Sequence, residues 1–124
     1  MRTVLLVDRD LDSHFMYATA LKYFGFTVIP AWSAVEGISL AQRDRPDVIV
    51  LEFSMRDVPG AEAAMILRMD AWTASIPIVG LDAHSRGGDA PLTGGVNVYL
   101  LKPVTPREIV EHVARLVGPE REEP

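Results

Sequence analysis

The sequence predicts an α/β protein with a five-stranded parallel sheet and helices on both of its faces. One observation is a series of short runs of branched apolar residues, the pattern of strands that are buried on both faces. The second is that helical patterns lie between these runs, with apolar residues three and four positions apart. Because the two patterns alternate, parallel strands joined by right-handed helical crossovers are favoured.

Five runs are predicted as strands, and four of them end in a charged residue. The strands cover residues 4–7, 27–29, 48–51, 76–81 and 96–101. All but the second are followed directly by a charged side chain, in chain order Asp8, Glu52, Asp82 and Lys102. The run at 27–29 is the weakest of the five.

The first two helices are predicted from periodicity and from their end signals. Residues 12–24 carry an apolar stripe and stop at Gly25. The stripe consists of Met16, Tyr17, Ala20, Leu21 and Phe24. Ser33 and Glu36 form a capping-box pattern for a second helix, which reaches about residue 43.

Two further helices follow later in the chain. Residues 61–69 are rich in helix formers, and three large side chains are predicted to face the sheet: Met65, Ile66 and Met69. Thr105 and Glu108 form a second capping box, with a proline at the first helical position.

The segment between the fourth and fifth strands is predicted to hold little regular helix. Residues 84–95 contain several glycines and a proline, which cost about 1 and about 3 kcal/mol in a helix interior. The fourth helix of the fold is therefore expected to be degenerate. Residues 1–118 are expected to form one domain, and the charged residues 119–124 a tail or the start of a linker.

Composition excludes several classes of function. With 124 residues and 48% hydrophobic content, the chain fits one globular domain. A net charge of -5 without a basic block gives no basis for binding nucleic acid or membranes. The absence of cysteine excludes disulfides and thiol catalysis, and the histidines (His14, His84 and His112) are expected to be solvated or lightly packed. No apolar run can span a membrane and no signal peptide fits, so a cytoplasmic location is expected.

The natural topology for this order of elements is flavodoxin-like. It is a (βα)5 three-layer sandwich whose five-stranded parallel sheet has the order 2-1-3-4-5. Ligands of such sheets bind beyond the carboxyl ends of the strands, near the point where the strand order reverses. Since Asp8, Glu52, Asp82 and Lys102 all stand at that edge, they predict one charged pocket.

In this order and spacing the motifs resemble the receiver domains of response regulators in two-component signalling, over about residues 2–117. The start of the first loop, 8–10, resembles the family's acidic first-strand end, and 47–52 resembles the strand that carries the phosphorylated aspartate. Residues 76–83 resemble the strand that ends in the switch threonine or serine. Residues 99–103 resemble the last strand, with its switch aromatic and its lysine, and imply a cis bond between Lys102 and Pro103.

Three positions depart from the family pattern. The family holds Mg2+ with two acidic residues after the first strand and with the phosphoacceptor, and here the second acidic residue is replaced by Arg9. Glu52 stands at the phosphoacceptor position, and Asp82 stands at the position of the switch hydroxyl. The residues that match are Asp8, Tyr99 and Lys102.

Each departure acts against phosphoryl chemistry. Arg9 brings positive charge to the place of a hard cation, so no Mg2+ or other cofactor is expected, and Asp8 and Glu52 would be ligands only if Mg2+ binds. Glu52 is one methylene longer than aspartate, and a misplacement of about 1 Å can cost about 100-fold in rate. An ionised Asp82 accepts hydrogen bonds but cannot donate one to a phosphoryl oxygen.

We therefore interpret residues 1–118 as an atypical receiver-like domain, a pseudo-receiver, in phosphorelay signal transduction. It is expected to be a phosphorylation-independent protein–protein interaction module and not an enzyme, with a signalling kinase, an output domain or another regulator as partner. Tyr99 is then expected to keep one orientation. The alternative is a slow phosphoacceptor that uses Glu52 with altered metal dependence. A flavodoxin-type cofactor binder ranks below both, because residues 8–13 form no phosphate cradle, and no Ser–His or Cys–His pair suggests a hydrolase.

The charges of the pocket predict its pairing. A partly buried carboxylate is costly unless it is paired, and the local cations are Arg9 and Lys102. Glu52 and Lys102 are expected to form a direct or water-bridged ion pair. Arg9, whose fork suits two carboxylate oxygens, is expected to be engaged by Asp8 or Asp82.

Overall fold

Five parallel strands form one sheet, and their order across the sheet is 2-1-3-4-5, as predicted. The computed structural model describes residues 2–83 and 95–118. Along the chain the elements are β1 (Thr3–Val7), α1 (Leu11–Tyr23), β2 (Thr27–Ala31), α2 (Ala34–Asp44), β3 (Val48–Glu52), α3 (Gly60–Met69), β4 (Ile78–Asp82), β5 (Val98–Leu101) and α4 (Pro106–Val117). The degenerate helix was predicted within residues 84–95, of which the structure describes only residue 95. The tail predicted at 119–124 lies wholly outside the described residues.

Helices cover both faces of the sheet and produce three layers. Alternate residues of a strand enter different apolar clusters, so that Leu5 packs on the side of α2 and α3, whereas Leu6 packs on the side of α1 and α4. The central strand β3 is buried along its whole length. The flavodoxin-like prediction is therefore confirmed, and the carboxyl ends of the strands open at one edge.

The predicted helix caps are present, with one addition. The Ser33 side chain accepts a hydrogen bond from the Glu36 backbone N–H, at 3.1 Å. Asp57, which lies after β3, also accepts hydrogen bonds from the first backbone N–H groups of α2, at Ala34 (3.1 Å) and Val35 (2.8 Å). The start of α2 is therefore tied to the loop that follows β3.

The predicted inward face of α3 is wrong. Met65, Ile66 and Met69 are exposed, and the buried residues of the helix are Gly60, Ala63, Ala64 and Leu67. The helix approaches the sheet closely, since a Cβ on Gly60 would lie 2.4 Å from Cδ1 of Phe53. Most of the space between the helix and the sheet admits only small side chains, so the three large ones lie on the exposed side of the helix.

The inward face of α1 also differs from the predicted stripe. Tyr17 and Leu21 are buried as expected, but Met16 and Phe24 are exposed and His14 is buried. The His14 ring stacks on Trp32 with ring centres 3.8 Å apart, so it is a packed residue and not a solvated one. Within the described residues, no helix is long and apolar enough to cross a membrane.

Candidate functional site

The charged residues at the strand ends lie close together around Lys102, and this cluster is called the pocket below. Asp8 follows β1, Glu52 ends β3, Asp82 ends β4 and Lys102 follows β5. The three carboxylates are almost fully buried, with 1%, 3% and 0% of Asp8, Glu52 and Asp82 exposed. Because carboxylates are costly to bury without partners, the donors around them define the chemistry of the site.

Glu52 and Lys102 form the predicted ion pair directly, with 2.5 Å between Nζ and Oε2. Burial disfavours the charged ammonium, but the hydrogen bond and charge of Glu52, with the charge of Asp8, outweigh it and raise the pKa of Lys102. Lys102 is therefore held in its charged form beside the glutamate.

The other oxygen of Glu52 is bound by Ser54. The Ser54 hydroxyl donates to Oε1 at 2.6 Å, and the Ser54 backbone N–H donates to the same oxygen at 3.3 Å. Sequence analysis did not identify this contact of Ser54. The signal that could have found it is its spacing, since a hydroxyl two residues after a carboxylate often bonds locally.

Asp8 organises the loop between β1 and α1. Its Oδ1 accepts from the Asp10 backbone N–H at 2.9 Å, and its Oδ2 accepts from the Ser13 hydroxyl at 2.5 Å. Nδ1 of His14 lies 2.9 Å from the carbonyl oxygen of Asp8, and since a carbonyl only accepts, this nitrogen is the donor. Both carboxylate oxygens of Asp8 are thus occupied by groups within five residues of it.

Arg9 does not make the predicted ion pair. Its Nε donates to the backbone carbonyl of Ser54 at 2.8 Å, and the side chain forms no ion pair with Asp8 or Asp82 among the described residues. The Asp8 carboxylate already has local donors, and the exposed Arg9 reaches the loop after β3 instead. Arg9 therefore joins the loop after β1 to the loop after β3.

Asp82 is bonded to Tyr99. Oδ1 accepts from the Ala83 backbone N–H at 2.8 Å, and Oδ2 accepts from the Tyr99 hydroxyl at 2.5 Å. The Tyr99 ring also contacts Phe53, with ring centres 5.5 Å apart and planes tilted by 59°. The aromatic residue of β5 is thereby turned toward the end of β4.

The loop after β5 has the predicted cis bond between Lys102 and Pro103. The Tyr17 hydroxyl, from α1, donates to the backbone carbonyl of Val104 at 2.9 Å. Burial is the main cause that raises the pKa of Tyr17, and the nearby charge of Lys102 opposes it. This contact holds the lysine-bearing loop against α1.

Comparison with known proteins agrees with this geometry. The family model described as the response regulator receiver domain matches residues 4–114. The phosphate regulon transcriptional regulatory protein PhoB of Pseudomonas aeruginosa is 32% identical over 95% of this chain, but the match covers only 54% of PhoB. The chain thus spans about half the length of that relative.

Solved structures show the same fold. The chemotaxis response regulator CheY4 of Vibrio cholerae is 27% identical, covers 94% of this chain and 98% of its own, and superposes with a TM-score of 0.84. The receiver domain of sensor histidine kinase PA1611 of Pseudomonas aeruginosa is 25% identical, with 95% and 98% coverage and a TM-score of 0.86, and that structure has a magnesium ion in its active site cleft. Fold, pocket and family match together establish that this chain belongs to the response regulator receiver domains of two-component signalling.

Proposed function

We propose that this receiver domain is a pseudo-receiver, a phosphorylation-independent protein–protein interaction module without enzymatic activity. The supporting observation is that residues of the chain itself pair the buried carboxylates of the pocket. Each of the six carboxylate oxygens of Asp8, Glu52 and Asp82 has a donor or a cation supplied by the described part of the chain. Such a pocket rests in one state without an added group.

The donor set does not fit a bound Mg2+. Mg2+ requires near-octahedral oxygen ligands at about 2.0–2.1 Å and tolerates little distortion. Asp8 and Glu52 are the carboxylates that would offer such oxygens, and both are already bonded, Glu52 to a cation. Arg9 adds a second positive charge between the loops after β1 and β3, and a divalent ion would also have to displace the established contacts of Asp8 and Glu52.

The same contacts oppose phosphoryl transfer. Lys102 and Ser54 occupy both oxygens of Glu52, one of which would have to attack phosphorus. Asp82 would face the incoming group as an anion, and two unit charges 4 Å apart repel by about 4 kcal/mol at an effective dielectric constant of 20. These costs favour a domain that stays in one conformation and is recognised by its partner in that conformation.

The proposed partner is another signalling protein: a kinase, an output domain or a second regulator. The net charge of -5 and the absence of a basic block do not support nucleic acid as a ligand of this domain. A transcriptional regulator such as PhoB is about twice as long as this chain, so its name does not assign that activity here.

Acetyl phosphate tests the proposal. Wild-type protein is incubated with Mg2+ and acetyl phosphate and its intact mass is measured, beside Glu52→Asp and Glu52→Gln. We expect no added phosphoryl group on the wild type or on Glu52→Gln. A hydroxylamine-labile adduct on the wild type that disappears in Glu52→Gln would instead establish the alternative, a phosphoacceptor that uses Glu52.

A further inference from the structure

A groove of about 370 Å3 lies between α1 and the edge strand β2, and it is called the α1–β2 groove below. Its walls are mainly apolar and include Phe15 of α1 and Pro30 of β2. Sites for small molecules are typically clefts of about 300–1,000 Å3 with apolar walls and a few polar groups. The polar residues that line the α1–β2 groove are His14, Thr19 and Lys22. The size and the composition of the groove therefore fit a small ligand.

His14 contributes a buried acceptor without a partner. The residue is 3% exposed, and its Nδ1 donates to the carbonyl oxygen of Asp8 at 2.9 Å. With the proton on Nδ1, Nε2 of the neutral ring carries a lone pair and accepts hydrogen bonds. Nε2 is buried and has no hydrogen-bond partner among the described residues. Because buried polar atoms in native proteins are rarely left without a partner, this nitrogen indicates a place for a donor from outside the chain.

The side chains around His14 fix its ring and still permit approach. The Trp32 ring stacks on the imidazole, with 3.8 Å between ring centres and 12° between the planes, so the direction of the Nε2 lone pair is fixed. Leu11 and Phe15 also line the α1–β2 groove, and both are largely exposed. Exposed side chains change rotamer rapidly, so a ligand can reach Nε2 without moving the backbone.

Lys22 supplies a positive charge at the other end of the α1–β2 groove. It lies eight positions after His14 on α1, about 12 Å along the helix axis at a rise of about 1.5 Å per residue. Lys22 forms no ion pair with a described residue, and none of the described residues that line the groove is acidic. The charge that complements this end of the groove is therefore negative.

We propose that the α1–β2 groove binds a small aromatic acid. An N–H or O–H group of the ligand donates to Nε2 of His14, and its carboxylate pairs with the ammonium of Lys22. Its planar body lies among the apolar walls, where the rings of Phe15 and Trp32 favour an aromatic ligand. This site goes beyond the proposed function, which requires no small molecule, and it uses neither Glu52 nor Lys102.

The test is an NMR titration of the 15N-labelled full chain with indole-3-acetate, whose ring N–H is a donor. The signals followed are the ring nitrogens of His14 and the indole N–H of Trp32. The chain has three histidines and two tryptophans, so the variants His84→Gln, His112→Gln and Trp72→Phe identify these signals by elimination. We expect both to shift and saturate, with a Kd on the order of 1 mM for a ligand of this size.

Two variants test the charge. Lys22→Met should weaken binding of indole-3-acetate about threefold, as expected for an exposed ion pair. The matched control is Arg107→Met, which removes an exposed cation of α4 that does not line the groove, and it should leave the Kd unchanged. Equal binding by the wild type and Lys22→Met would contradict the proposed role of Lys22.

Two analogues test the contacts on the wild-type protein, so this measurement does not depend on the folding of a variant. Benzofuran-3-acetate has an oxygen in place of the N–H and should bind about tenfold more weakly, because Nε2 stays unpaired. Indole-3-acetamide lacks the charge and should bind about as weakly as the acid binds to Lys22→Met. Equal binding of the benzofuran, or no saturable shift of His14 and Trp32 up to roughly tenfold the expected Kd, overturns the inference.

Discussion

Replacing Glu52 by glutamine should destabilise the domain because it leaves Lys102 without its ion-pair partner. Removing one member of a fully buried pair costs about 3–5 kcal/mol. The Lys102 side chain is 31% exposed, and water recovers part of that cost. Glutamine can also still accept from Ser54, which bonds the other oxygen. We therefore expect the free energy of unfolding to fall by about 2 kcal/mol.

Urea unfolding followed by circular dichroism measures this change by linear extrapolation. The matched control is Asp44→Asn, which neutralises a carboxylate paired with Arg43 at 2.8 Å on the surface. Such exposed pairs contribute about 0–1 kcal/mol, so the control should change stability little. If Glu52→Gln is no more destabilising than Asp44→Asn, the ion pair does not stabilise the pocket.

A double variant tests the physical reason. Glu52→Gln combined with Lys102→Met removes both charges of the pair, so the Lys102 ammonium is not left without its partner. The loss in the double variant should be smaller than the sum of the two single losses, because the two side chains interact directly. Strict additivity would show that the two residues stabilise the fold independently.

Three further predictions concern stability. The raised pKa values of Lys102 and Tyr17 mean that their stabilising contributions are complete below the reference values of 10.5 and 10.0 and are lost as pH rises through the higher folded values. Urea midpoints should therefore fall in alkali, and a midpoint that stays constant up to about pH 11.5, roughly 1 unit above the higher reference value, would contradict this. Asp57 has a lowered pKa because it accepts hydrogen bonds from the start of α2, so its contribution is present above 3.8 and is lost as pH falls through its lower folded value. Asp57→Ala should cost about 1 kcal/mol at neutral pH and progressively less in acid, and a cost that does not depend on pH would refute the role of the carboxylate charge. Gly60→Ala should cost about 1–3 kcal/mol by overpacking, since its Cβ would lie 2.5 Å from the Phe53 backbone Cα; an unchanged melting temperature would show that α3 can move away.

The sequence alone determined the strands, their order and the members of the pocket. Continuous apolar runs are a local property, and a charged residue after such a run must lie at the carboxyl edge of a parallel sheet. Asp8, Glu52, Asp82 and Lys102 could therefore be assigned to one place before any contact was known. The Glu52–Lys102 pair followed because a buried carboxylate needs a cation and few were available.

Which donor serves which acceptor depends on contacts between segments that are distant in the chain. Arg9 was expected to bind a carboxylate, but it donates to the carbonyl of Ser54, 45 residues away in the chain. His14 is buried against Trp32, and α3 turns its small residues to the sheet. Periodicity identifies the apolar faces of a helix, but the distance between the helix and the sheet decides which face can pack. That distance depends on side chains from elsewhere in the chain, such as Phe53.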